Sequence, residues 1–498
     1  MPRCLNPLTA LMVLATATGS LGAEEVTREV AVRSLTKAVQ FYHEQVATHG
    51  GYVWRYSGDL ELREGEAQTG LSTIWVQPPG TPTVGEAFLD AFEATQDPRA
   101  LQAARETAAA LVQGQLQSGG WNYFVEFDPQ KRKEHAYRVD RPSTQPTSKP
   151  TAGPSPSGWD EWKKRKHKGN MTVADDDTTQ AALRFLMRLD QQLEFKDAAI
   201  HEAAQYALAS LLQAQYPNGA WSHCYDSFPA QPPAVDQYPI QKASYPSEWS
   251  RTWTKDWTGC YRLNDRITLD LIAAMLEAHE TYGDERYLTA AKRGGDFLLL
   301  AQMPDPQPAW AQQYNRDMQP VWDRKFEPPA ITGLESQDTL ETLLRLFRRT
   351  GEKKYLSPIA KALAYLRTCE LPDGKLARFY ELKTNKPLYF TRDYQLTYAG
   401  DAVPKHYGFT FNSRLDKIEA EYLLLRHGKG TAAVAKSPSR SSLAKRVRPI
   451  IDRQDYRGAW VEQAGLDAHD VKPKSGVIES RTFADNVRTL SQFIRAQD

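Results

Sequence analysis

The 498-residue chain has little cysteine. Four cysteines cannot supply a disulfide scaffold, and with no CxxC pair or closely spaced histidines they give no zinc-site spacing. A surplus of either charge is also missing. The 62 Lys plus Arg against 61 Asp plus Glu leave a formal net charge of +1, which excludes a general nucleic-acid binder. Beyond the N-terminus no stretch approaches the ~18 consecutive apolar residues that a membrane helix requires. Hydrophobic residues at 41% and a mean hydropathy of −0.59 describe a soluble globular chain. Aromatic residues are not scarce: 12 Trp and 23 Tyr either fill a large core or line a groove.

The N-terminal stretch MPRCLNPLTALMVLATATGSLGAEE carries Arg3, an apolar run from Leu8 to Ala17, and small residues at Ser20, Gly22 and Ala23. This pattern predicts a secretory signal peptide over residues 1–23 and a secreted or periplasmic mature protein. Cys4 precedes the apolar run, so no lipobox follows it. Cys224, Cys260 and Cys369 then remain. An oxidising compartment allows one bond, Cys224 with Cys260, with free buried thiols as the alternative.

The remainder repeats itself. AALVQGQLQSGGWNYFVEFDP, ASLLQAQYPNGAWSHCYDSFP, FLLLAQMPDPQPAWAQQYN and AYLRTCELPDGKLARFYEL each read as a helix end, a turn with Gly or Pro, then an aromatic or basic residue. AVQFYHEQVATHGGYVWRY is a weaker first copy. Between them lie segments such as ITLDLIAAMLEAHETYGD, whose apolar residues recur three and four apart. The unit is helix, turn, helix, Gly-aromatic loop, and several such pairs predict an all-α fold, an α/α toroid over residues 24–427. Its loops would line one cleft, with Trp121, Trp221 and Trp310 either facing it or capping the core. Residues 139–170 read as a disordered basic insertion with a cluster at Lys163, Lys164, Arg165 and Lys166, and residues 428–498 as a linker and C-terminal helical segment.

Four clusters carry candidate chemistry. Asp175, Asp176 and Asp177 precede a helix; one Asp would cap it, whereas three together suggest a hard cation such as Ca2+. Asn264 and Asp265 stand at the equivalent place one repeat later. Arg324 precedes a Glu-Pro-Pro turn, and Arg378 and Arg392 lie fourteen positions apart at the ends of a hairpin-like loop. Arginine grips carboxylates in a bidentate fork, so clustered acids and arginines together predict a metal-plus-guanidinium site for a polyanion.

In order, QYPNGAWSHCYD, YRLNDRITL, FEPPAITGLES and RFYELKTNKPLYFTRD resemble the pectate lyases of polysaccharide lyase family 10, whose patterns run as TIDN, QYPNGGWPQ, ITFNDN, WCAQHD, RAYEPPSLSGAES and RFYEIGTNRPIFSGRD. The resemblance spans about residues 105 to 425. It implies calcium held by Asp175 and Asp265, with Asp176 in place of the family's Asn, and Arg324 as the proton-abstracting residue. Arg378 and Arg392 would bind substrate carboxylates, and Trp121 and Trp221 would line the cleft. The implied reaction is β-elimination of α-1,4-polygalacturonate, giving 4,5-unsaturated ends, by a monomer with no nucleic-acid or membrane partner.

An arginine base requires its pKa to fall, and calcium with two neighbouring arginines would lower it by like-charge repulsion. The chain departs from the family at SGGWNY and at Asn315, where the family has Asp. Two other readings stand beside the lyase. One is a toroid glycoside hydrolase using Glu327, Glu335 or Asp338 as an acid; the other is a non-catalytic carbohydrate-binding protein.

Overall fold

The computed structural model describes residues 26–140, 169–255, 258–428 and 439–496. The expected signal peptide at 1–23 and the lysine cluster at 163–166 lie outside these. Twelve α-helices are present among the described residues: α1 (Arg28–Phe41), α2 (Thr81–Thr95), α3 (Pro98–Gly114), α4 (Thr178–Gln192), α5 (Ala198–Ala214), α6 (Ile267–Tyr282), α7 (Glu285–Ala301), α8 (Gly333–Thr350), α9 (Ile359–Thr368), α10 (Leu415–Arg426), α11 (Arg440–Arg453) and α12 (Ser480–Arg495). None is long and apolar enough to cross a membrane.

Odd-numbered helices are amphipathic. On α3 the buried Ala100, Ala103, Ala104, Thr107, Ala108 and Leu111 fall three and four apart and form one inward stripe. Asp97, Asp197 and Asp284 start α3, α5 and α7 by accepting backbone N–H bonds at 3.0, 3.4 and 2.9 Å, which satisfies donors the first turn leaves open. The even-numbered helices α2, α4, α6 and α8 are buried more completely: α6 hides ten residues, from Ile267 to Ala278. They pack in the series α12–α2–α4–α6–α8–α10.

The odd helices α3, α5, α9 and α11 end in the same tight loop. In the second copy Gly119 N–H donates to Leu116 O and Leu116 N–H to Gly120 O; Gly219 with Tyr216, Gly374 with Leu371 and Gly458 with Asp455 repeat the first of these bonds. Gly219 requires glycine: its φ is +97°, and a Cβ would come within 1.9 Å of the Arg293 carbonyl oxygen. Gln115, Gln215 and Gln454 each donate to the loop carbonyl four residues on and to a neighbouring odd helix, so the amide joins one unit to the next.

After each loop the chain enters a short strand that pairs with a strand leading into an even helix. Phe124–Glu126 pairs with Thr73–Trp75, Cys224–Tyr225 with Thr172–Val173, Gln313–Tyr314 with Tyr261–Arg262, and Phe379–Glu381 with Ala330–Thr332, all antiparallel. These pairs place the starts of α2, α4, α6 and α8 beside the loops.

Three expectations are decided here. Trp121, Trp221 and Trp310 do not face a cleft: they are 0%, 1% and 0% exposed, and each indole N–H donates to a carbonyl of its own preceding helix, Leu111, Leu211 and Leu298. Trp460 repeats the arrangement with Ile450, a copy the sequence reading passed over. Cys224, Cys260 and Cys369 are buried and form no disulfide with one another, the alternative to the Cys224–Cys260 bond. The segment after 428 is not a linker from 440 onward: α11 forms there with Pro449 inside it, Val477–Glu479 pairs with Arg55–Ser57, and α12 packs on α1 and α2.

Candidate functional site

The strands Thr172–Val173 and Tyr261–Arg262 run into two matching 3-10 turns, Asp175–Asp177 and Asn264–Arg266, just before α4 and α6. Each turn holds two successive non-glycine residues in the left-handed region, Asp176 (φ 49°) and Asp177 (φ 60°), then Asp265 (φ 47°) and Arg266 (φ 62°). Such backbone costs about 1 kcal/mol or more per residue and persists only where the surroundings enforce it. Here it separates the acids. Asp177 turns to Arg184, whereas Asp175 and Asp176 join Asp265, with one oxygen of each within 4.8 Å of the others.

The three carboxylates have few donors. Tyr123 Oη donates to Asp175 Oδ2 (3.1 Å), Gln77 Nε2 to Asp176 Oδ2 (2.9 Å) and Asn264 Nδ2 to Asp265 Oδ2 (3.2 Å). Asp175 Oδ1 is buried without a partner. Burial, then repulsion from Asp265, pushes the Asp175 carboxyl up to about 6; burial, then Asp175 and Asp265, pushes Asp176 up to about 9. Acids that resist ionising together are short of a positive charge among them. Clustered oxygens with an unpartnered one are the donor set a hard cation takes.

Arginines stand opposite. Arg324 grips Glu327 through Nε (2.7 Å) and Nη2 (2.5 Å), with Asp265 3.7 Å away. Arg378 donates to Glu335 Oε1 at 3.0 Å. Tyr407 binds these groups together: its hydroxyl donates to Glu327 Oε1 (2.7 Å), and the Arg378 and Arg324 guanidiniums lie 4.2 and 5.5 Å from its ring centre. Arg262 forms a buried ion pair with Asp323. Between acids and arginines lies a cavity of about 40 Å³, lined by Asp175, His223, Arg262, Asn264, Asp265, Asp323 and Arg324, a space on the scale of one ion or water.

The electrostatics of Arg324 run opposite to expectation. Burial favours its neutral form, but Glu327 and then Asp265 outweigh that and raise its pKa above the usual arginine value. Glu327 is drawn down to about 2: burial would raise it, and the Arg324 fork and the Tyr407 hydroxyl dominate. The Arg324 fork and the Tyr407 hydroxyl thus favour the ionised form of Glu327. Glu335 is raised by burial and held by Arg378 and Gln312, while Asp338 pairs with Arg266 and Arg414.

Of the residues singled out from sequence, the fold brings Asp175, Asp176, Asp265, Arg324 and Arg378 together. Arg392 is exposed in the turn after Pro387–Phe390 and does not line the cavity. Trp121 and Trp221 lie in the core beneath the loops. Tyr407, Arg262, Asp323 and His223 were missed. Tyr407 has no repeat or charge cue, whereas His223 stands in a register that the loops repeat.

No family model matches the chain, and no curated protein matches it. Solved structures that resemble it include a family 10 polysaccharide lyase from Cellvibrio cellulosa (16% identity, 69% of this chain and 98% of that one, TM-score 0.41). Others are a sugar epimerase from a ruminal bacterium (13%, 95% and 100%, 0.46) and a GH76 α-mannanase from Bacteroides thetaiotaomicron (10%, 94% and 96%, 0.41). A lyase, an epimerase and a mannanase at such scores assign no family to this chain, and its own side chains must carry the functional reading.

Proposed function

We propose that this chain is a secreted polysaccharide lyase of the pectate-lyase kind, built on an α/α toroid and cleaving α-1,4-polygalacturonate by β-elimination. The observation that carries the proposal is a cluster of three cation-poor carboxylates, Asp175, Asp176 and Asp265, of which Asp175 and Asp265 face Arg324 across a cavity the size of one ion, with Arg378 nearby against the Tyr407 ring. The three acids fit a hard cation such as Ca2+, which when bound would neutralise charge developing on the uronate carboxylate as the C5 proton leaves.

The protein's own groups divide the remaining work. Arg378, fixed between Glu335 and the Tyr407 ring, is positioned to hold a substrate carboxylate. Gln77, Tyr123 and Asn264 orient the three acids. Arg324, whose protonated form Glu327 and Asp265 both favour, would have to leave those anions and release a guanidinium proton to solvent before taking the C5 proton. Proton transfer is thus coupled to opening of the Arg324–Glu327 pair when the uronate enters. C4-oxygen departure then leaves the 4,5-unsaturated end.

One observation favours hydrolysis as a second reading. Asp176 at about 9 beside Asp175 at about 6 is the split between acid and base that glycosidases use. The products separate the two readings, because hydrolysis leaves no unsaturated end. Ultraviolet absorbance of polygalacturonate incubated with protein and calcium at alkaline pH tests the proposal. Absorbance at the unsaturated-uronate band that rises with calcium and stops on chelation is expected. New reducing ends without that absorbance would refute it.

A further inference from the structure

The loop register marks one more side chain. Counting four residues beyond the loop glycine gives Trp54, Tyr123, His223, Arg378 and Glu462 from Gly50, Gly119, Gly219, Gly374 and Gly458, and Gln312 from the equivalent Pro308. In four of these six units the side chain acts on the site. Trp54 Nε1 donates to Gln77 O, and Gln77 holds Asp176. Tyr123 binds Asp175, and Gln312 and Arg378 both bind Glu335.

His223 occupies this register in the unit between α5 and α6, and its backbone is tied to the acid turn by the Ala174 N–H bond to His223 O (2.8 Å). The ring lines the cavity with Asp175, Asp265, Arg262 and Arg324. It is 8% exposed, and Nδ1 is buried without a hydrogen-bond partner. Burial, then Arg262 and Arg324, holds the ring neutral, so one nitrogen donates and the other accepts. His223 is not among the residues whose oxygens cluster for a cation. A buried polar ring left without a partner is destabilising unless something else completes it.

We propose that His223 is a substrate-contacting residue that hydrogen-bonds a single oxygen of the acidic sugar, the one atom that enters the water-sized space beside Asp175, Asp265 and Arg324. This assignment rests on the acidic-polysaccharide reading above. It deepens that reading by naming a specificity contact that clustered charges did not reveal.

The test is calorimetric binding of trigalacturonate in calcium buffer to the wild-type protein, His223→Leu, His223→Phe and His223→Gln, with melting temperatures measured alongside. Leu and Phe should bind about ten- to a hundredfold more weakly, as expected for losing a hydrogen bond to a charged or strongly polar group. Their melting temperatures should be unchanged or higher, because no intramolecular bond is lost. Gln should recover most of the affinity. If Leu or Phe binds as the wild type does, or if affinity falls only in step with melting temperature, His223 is structural and the assignment fails alone. A wild-type protein that binds no acidic oligosaccharide overturns the underlying reading and this assignment together.

Discussion

At the scale of single residues the decisive feature is a set of charges that do not balance locally. Asp176 has a pKa of about 9 in the fold against ~4 in an unfolded chain. Between those values the folded protein binds the extra proton, so its contribution to stability is present below pH ~4 and is lost as pH rises through about 9. The metal-free protein should therefore melt at progressively lower temperature across this window, and Asp176→Asn should flatten the profile. In calorimetry the variant should also lose most of the stabilisation that added calcium gives the wild type. A pH profile unchanged by the substitution would mean that Asp176 ionises freely.

Arg324→Ala should lower kcat by at least about a hundredfold, the scale seen when a group aimed at developing charge is removed. Folding should survive, although Glu327 would lose its fork and part of its depressed pKa. The acids and arginines were legible in the sequence because charged residues beside helix starts and before a Pro-Pro turn are conspicuous. The sign of the Arg324 shift was not, because a Glu three residues on shows in sequence neither that it folds back onto Arg324 nor that it is buried there.

At the scale of elements, the repeated loop does two jobs with alternate residues. Its tryptophan anchors the preceding helix, and the side chain two positions further reaches the site. Trp221→Ala should cost about 3–5 kcal/mol in chemical denaturation, since a fully buried aromatic leaves a cavity and the Leu211 carbonyl loses its donor. Activity per folded molecule should change little, and selective loss of substrate affinity would return Trp221 to the cleft. Helix periods and the Gly-aromatic repeat gave the order of elements directly. They gave no direction for the tryptophans, because a Gly-Trp loop looks the same in sequence whether its indole turns inward or outward; the backbone carbonyl ten residues earlier decides it.

At the scale of the whole molecule, the two ends of the chain are joined. The strand Arg55–Ser57 near the start pairs with Val477–Glu479 near the end, Ser480 Oγ donates to Val53 O, and Arg488 and Arg495 of α12 reach Asp90 and Glu93 of α2. Reading residues after 428 as an appendage missed this, because pairing across more than 400 positions leaves no local pattern. A chain ending at 438 should lose cooperative unfolding and expose the apolar face of α2. A truncated protein with the full-length melting temperature would show the C-terminal unit to be dispensable.

The central claim is that clustered aspartates and opposed arginines act together in an elimination. Mass spectrometry of products formed from polygalacturonate in 18O-labelled water with calcium tests it most directly. Fragments are expected whose non-reducing ends are one water lighter than saturated uronate and whose reducing ends carry no label from cleavage. Saturated fragments with 18O incorporated during cleavage would contradict it and establish hydrolysis instead.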